Sequence, residues 1–168
     1  MSKEQTKDLK KFLKPFSPEK QEIAWWLREF VWDLYPTSNE LIYDNYNAVA
    51  FGWSLTDRVT HLFCTIAVGR SSGTIHFGFY WGATLADPKK LLLGEGNQYR
   101  YLLVNSIKDF PKTYMIKLLK EAYTQSAKKV KDPGQLLQGK TITKSISPVK
   151  REKSKKKKLT SPKKKKKS

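Results

Sequence analysis

Charge divides this chain more sharply than any other property. Of its 33 lysines and arginines, 17 fall in residues 128 to 168, where only Asp132 and Glu152 oppose them; residues 1 to 127 hold 16 basic and 13 acidic residues. A segment with a net charge of +15 and few apolar residues cannot bury enough surface to offset the entropy lost on ordering it. The expectation is one folded domain over 1–127, of ordinary size, and a disordered, lysine-rich tail over 128–168.

Several classes are disfavoured at once. The single cysteine cannot form an internal disulfide, and Met1 to Lys14 is polar and lysine-rich, with no apolar stretch of the kind a secretory signal carries. No run approaches the roughly 18 consecutive apolar residues of a membrane span. The expected location is the cytoplasm, or the nucleoid within it, and no membrane partner is expected.

Within the body, Leu9, Phe12, Leu13 and Phe16 recur at helical spacing and predict a short amphipathic helix. Ser17-Pro18-Glu19 supplies a cap, a proline at the first helical position and an acid in the first turn, and Pro36 stops the pattern. The helix expected over 18 to 35 places Ile23, Trp26, Leu27, Phe30, Val31 and Leu34 in one arc. Trp25 and Trp32 fall nearly opposite, which means either a second packing surface or an exposed binding patch.

From Leu41 to Tyr80 the period changes to two. Val49, Phe51 and Trp53 share one side of a strand, Leu62, Cys64, Ile66 and Val68 one side of the next, and Ile75, Phe77 and Phe79 one side of a third. Short turn-rich connections at Thr56-Asp57 and Arg70-Ser71-Ser72-Gly73 predict an antiparallel meander. Asp87-Pro88 predicts a short helix through Leu91 to Leu93 ended by Gly94, Tyr99 to Val104 predicts a fourth main strand, and 111 to 125 a closing helix with Met115, Leu118, Leu119 and Ala122 on one face. The fold class expected is α+β, an antiparallel sheet of about four to five strands covered by helices.

The segment Phe77-Gly78-Phe79-Tyr80-Trp81-Gly82-Ala83-Thr84-Leu85-Ala86-Asp87-Pro88, continuing through Leu91-Leu92-Leu93-Gly94-Glu95-Gly96 to Tyr99-Arg100-Tyr101, resembles the characteristic segment of the YdhG-like domains, a bacterial α+β family. The resemblance covers roughly residues 10 to 125 and leaves out the lysine tail. Some members of that family are labelled iron chaperones by analogy with frataxin, so it implies iron handling as one activity to weigh.

Candidate chemistry is sparse. His61 and Cys64 lie three apart in a predicted strand, so they should face opposite ways, and Cys64 between Leu62 and Ile66 reads as a small buried hydrophobe. No zinc spacing, phosphate-binding glycine loop or nucleophilic triad is legible, and neither an enzyme nor a cofactor is expected. Glu22, Glu29 and Asp33 share one side of a helix, either as a solvated face or as carboxylates for a hard metal such as iron. His76, Tyr80, Trp81 and Arg100 are a candidate cleft for an anionic or planar small ligand; the competing reading is core aromatics with Arg100 pairing a carboxylate such as Asp87.

The tail carries the strongest signal. Lys155, Lys156, Lys157 and Lys158 form one uninterrupted block and Lys163, Lys164, Lys165, Lys166 and Lys167 another. Two Ser-Pro-x-Lys units, Ser147-Pro148-Val149-Lys150 and Ser161-Pro162-Lys163-Lys164, resemble those of linker-histone tails. Lysines without aromatics neutralise phosphates but do not read bases, so the expected partner is nucleic acid, bound without sequence specificity. The alternative is an iron-handling or small-ligand module whose tail serves only solubility or localisation.

Overall fold

The computed structural model describes residues 6–153. Three helices, α1 (Thr6–Leu13), α2 (Pro18–Leu34) and α3 (Lys112–Lys129), accompany six strands, β1 (Asn39–Asp44), β2 (Ala48–Ser54), β3 (Leu62–Gly69), β4 (Ile75–Phe79), β5 (Arg100–Leu103) and β6 (Thr141–Ile146). The strands form one sheet in the order β5-β4-β3-β2-β1-β6.

Helix α2 begins where local chemistry demands. The Ser17 side chain accepts a hydrogen bond from the Lys20 amide, Pro18 occupies the first turn, and the helix ends at Tyr35 before Pro36. Its buried face is Ile23, Ala24, Leu27, Arg28, Val31 and Trp32. The helix is therefore turned from the expected arc: Leu34 is exposed, whereas Trp32 is buried and meets Trp53 edge-on, with ring centroids 6.1 Å apart. Trp32 is thus a packing residue, while half-buried Trp25 lies beneath the Arg28 guanidinium.

The meander β2-β3-β4-β5 is antiparallel, as the alternation implies. Its register aligns Phe51 with Ile66 and Ile66 with Phe77, so the apolar positions of three strands share one face. Leu9 of α1, Leu27 of α2 and Leu119 of α3 are buried in the same cluster, so all three helices lie against that face. Burying each such side chain contributes about 1.5–3 kcal/mol.

The sheet departs from expectation in size and direction. It has six strands rather than four to five, and it is mixed, because β6 pairs parallel to β1. The supposed tail therefore begins later than residue 127: α3 runs to Lys129, and Thr-Ile-Thr-Lys-Ser-Ile, inside the lysine-rich region, is an edge strand. High net charge does not prevent a six-residue segment with four β-branched side chains, Thr141, Ile142, Thr143 and Ile146, from joining an existing sheet. The short helix expected at 91–93 is absent. Lys90 adopts a positive φ of 51°, and the Asp87 carboxylate accepts from the amides of Leu91 and Leu92 at 3.1 and 2.9 Å. The side chain thus takes up amides that a helix would have directed to its own backbone.

Strand β1 carries two buried acids on the helix-bearing face. Glu40 accepts from both Arg28 Nε and Nη2, at 2.7 and 2.8 Å, a side-on bidentate pair between α2 and the sheet. Asp44 receives Arg70 and, at 2.9 Å, Lys150. Neither Arg28 nor Glu40 is appreciably exposed, so removing one partner strands a buried charge. Glu40→Ala is expected to lower stability by about 3–5 kcal/mol in urea unfolding, and the apolar double replacement Arg28→Met with Glu40→Leu to recover most of it; equal losses in the single and double variants would contradict this account.

Candidate functional site

The four residues of the predicted cleft do not converge. Along β4, residues alternate, so His76 and Gly78 face away from the helices while Phe77 and Phe79 face the core. Arg100 is paired opposite Phe79 and so occupies the helix-bearing side of β5, the side His76 does not share. Its guanidinium donates to the carbonyls of Gly96 and Tyr99, at 2.5 and 2.8 Å, and its stem packs against Gly82. Asp87, weighed as its partner, instead accepts from the Tyr114 hydroxyl. Those bonds hold the Asp87 carboxyl below its usual range despite the opposing effect of burial.

Tyr80 and Trp81 do stay together, edge to face at 5.1 Å. The Trp81 indole donates to the Thr60 carbonyl at 3.0 Å, and Lys129 at the end of α3 sits 4.1 Å from its ring centroid. His76 lies flat on Tyr101, with centroids 4.0 Å apart and planes within 3°, and Tyr101 is followed by Tyr99 at 5.8 Å. Gly78 makes this possible: a Cβ there would fall 2.1 Å from the Tyr99 hydroxyl oxygen. The outcome is an aromatic row on the helix-free face of the sheet. Tyr99 and Tyr101 complete it, and they were not among the sequence candidates; the strand parity that sends Leu102 to the core was the signal that sends Tyr101 outward.

The chain matches no family model, and neither a curated protein nor a solved structure is found to be similar to it.

The remaining chemical candidates resolve into structural parts. Cys64 is fully buried, and that burial pushes its thiol well above the ordinary range. His61, in a 3₁₀ turn before β3, lies 2.7 Å from the Thr56 hydroxyl. Among the described residues no three of His, Cys, Asp and Glu lie close enough to hold a metal ion, and no helix is long and apolar enough to cross a membrane. A groove of about 420 Å³ runs between Pro88-Lys89 and the Tyr114, Lys117 and Glu121 side of α3; none of the four predicted cleft residues lines it.

One Ser-Pro-x-Lys unit is built into the body. The Ser147 amide donates to the Asp44 carbonyl at 2.8 Å, and Lys150 spends its charge on Asp44, whose carbonyl and carboxylate it both contacts. Arg151 then donates its amide to Tyr46 and its side chain to Asn47. The lysine blocks Lys155–Lys158 and Lys163–Lys167, with the second unit, lie outside the described residues.

Burial lowers the His76 pKa from its ordinary 6.5, favouring the neutral ring that stacks on Tyr101. The unfolded chain therefore binds this proton at a pH where the folded one does not, so the contribution is complete above about pH 6.5 and lost as pH falls through the lower folded value. Urea midpoints at pH 7.5 and 5.5 are expected to show a decline that His76→Phe, which preserves a flat ring, reduces; identical declines in both proteins would remove His76 as the cause.

Proposed function

We propose that the chain is a non-enzymatic α+β domain whose lysine-rich C-terminal segment binds nucleic acid without sequence specificity. The observation that carries the reading is where positive charge falls in a stretch of sequence without acids. Residues up to 151 are tied to the body by β6 and by the bonds of Lys150 and Arg151, and Lys150 shares the Asp44 carboxylate with Arg70. The final fifteen residues, 154 to 168, hold nine lysines and no acid, half of the formal net charge of +18. Lysine blocks of that density bind phosphates by releasing condensed counterions, a term that is strong, steeply salt-dependent and indifferent to base sequence. The YdhG-like resemblance of residues 77–101 belongs to the body and leaves this role to the tail.

Neutralising about six phosphates gives a slope near −5 for log affinity against log salt on duplex DNA. Fluorescence anisotropy with labelled duplex is expected to show that slope for the full chain. Replacing the nine lysines of 154–168 by glutamine should cut affinity at least 100-fold at about 0.1 M salt and flatten the slope toward −1. Equal binding by the two proteins would move the search for function to the body. A cut after residue 127 is the wrong comparison, since it removes β6 along with the lysines.

A further inference from the structure

The groove between residues 84–92 and α3 has walls fixed by side-chain chemistry. The Thr84 hydroxyl donates to the Gln125 side chain at 2.6 Å, and Gln125 Nε2 donates back to the Thr84 carbonyl at 3.3 Å. One turn earlier on α3, both Glu121 oxygens accept from the Ala86 amide, at 3.1 and 3.2 Å. Two turns before that, the Tyr114 hydroxyl donates to Asp87 and accepts from the Lys89 amide at 3.3 Å, while Asp87 closes its own loop on the amides of Leu91 and Leu92. Helix α3 thus holds an irregular segment at three points along about 16 Å of its length. The groove so enclosed, about 420 Å³, is preformed and falls within the range of about 300–1,000 Å³ typical of small-molecule sites.

Its lining sorts into an apolar bed and a cationic rim. Ala86, Pro88, the buried Leu118 and the Tyr114 ring supply carbon surface. The acid among the lining residues, Glu121, is turned onto the Ala86 amide, and the Tyr114 hydroxyl is engaged both as donor and as acceptor. Lys89 and Lys117 are different. Both line the groove with exposed side chains, and among the described residues neither has a carboxylate within ion-pair distance. The Lys89 ammonium stands 5.3 Å from the Tyr114 ring centroid, an attraction that keeps its charge beside the aromatic wall.

We infer that this groove binds a small organic anion, a carboxylate carried on a compact apolar body of one or two rings. The carbon body displaces water from Leu118, Pro88 and the Tyr114 ring, and the carboxylate is met at the rim by Lys89 and Lys117. The same two ammoniums disfavour a cation, and a neutral molecule of the same shape gains the apolar contribution alone. Both lysines belong to the folded body and neither to the C-terminal lysine blocks, so the inference does not rest on the nucleic-acid reading. It gives the body a ligand of its own, at a place distinct from the four residues singled out in the sequence.

The test separates charge from shape. Naphthoate and its neutral counterpart naphthylmethanol are titrated into the full chain, and backbone amide shifts are followed in a proton–nitrogen NMR spectrum. Naphthoate is expected to shift the amides of Ala86, Lys89, Tyr114 and Lys117 saturably and to bind about fivefold or more tightly than the alcohol, a difference that Lys89→Gln combined with Lys117→Gln erases. Ala86→Phe, an exposed change that fills the groove, is expected to abolish the shifts with both probes. Equal affinity for the two probes, no saturable shift with either, or naphthoate binding that persists in the double lysine variant would each overturn the inference. Should Ala86→Phe lower the urea midpoint, the lysine pair alone decides. A short peptide ending in a free phenylalanine carboxylate that binds far more tightly than naphthoate would assign the groove to the end of a protein chain, which also overturns it.

Discussion

Two carboxylates are buried on the inner side of one strand, and each has to be met by cations brought from elsewhere in the chain. Glu40 takes the fork of Arg28 from α2, and Asp44 takes Arg70 from the end of β3 and Lys150 from beyond β6. Attraction in such a setting roughly offsets the cost of removing the charges from water, so these pairs add little net stability; what they do is penalise every arrangement in which one partner is missing. Helix α2, the turn after β3 and the segment after β6 are all tied in this way to β1. The apolar cluster between helices and sheet supplies the driving force, and the charges decide which register it adopts.

The same alternation that buries the acids leaves the opposite face free of them. A six-stranded sheet with helices on one side only must present its other side to something, and here that side carries tyrosines and a histidine rather than the charged residues common on solvated sheets. Along β1, Glu40 and Asp44 point inward and Tyr43 outward, so the strand sorts its polar groups by direction.

Much of this was readable from local signals. The Ser17-Pro18 start and Pro36 stop delimit α2 to within a residue, and the period-two runs locate β2, β3 and β4, because caps and alternation act over a few neighbours. What escaped depended on partners distant in sequence. The strand Thr141–Ile146 sits in a lysine-rich stretch and is made a strand by β1, some 100 residues earlier. Trp32 looked misplaced on α2 until Trp53 received it. The four-residue cleft failed on register: β4 and β5 pair so that Arg100 and His76 take opposite faces, a parity that composition does not encode. Asp87-Pro88 did start a turn, but the Asp87 side chain then consumed the amides that would have extended it.

The parallel pairing of β6 with β1 has a consequence for how the chain is made. During synthesis domains fold from the N-terminal side as residues emerge. Helices α1 and α2 and strands β1 to β5 can assemble early, but β1 then has an unpaired outer edge, and Asp44 lacks one of its two cations until residue 150 is available. The growing polypeptide therefore passes through a stage in which β1 is one of the two edges of a five-stranded sheet, until β6 takes that place. Nine lysines follow in residues 154–168, so charge that keeps like molecules apart is added soon after β6 replaces β1 as an outer strand.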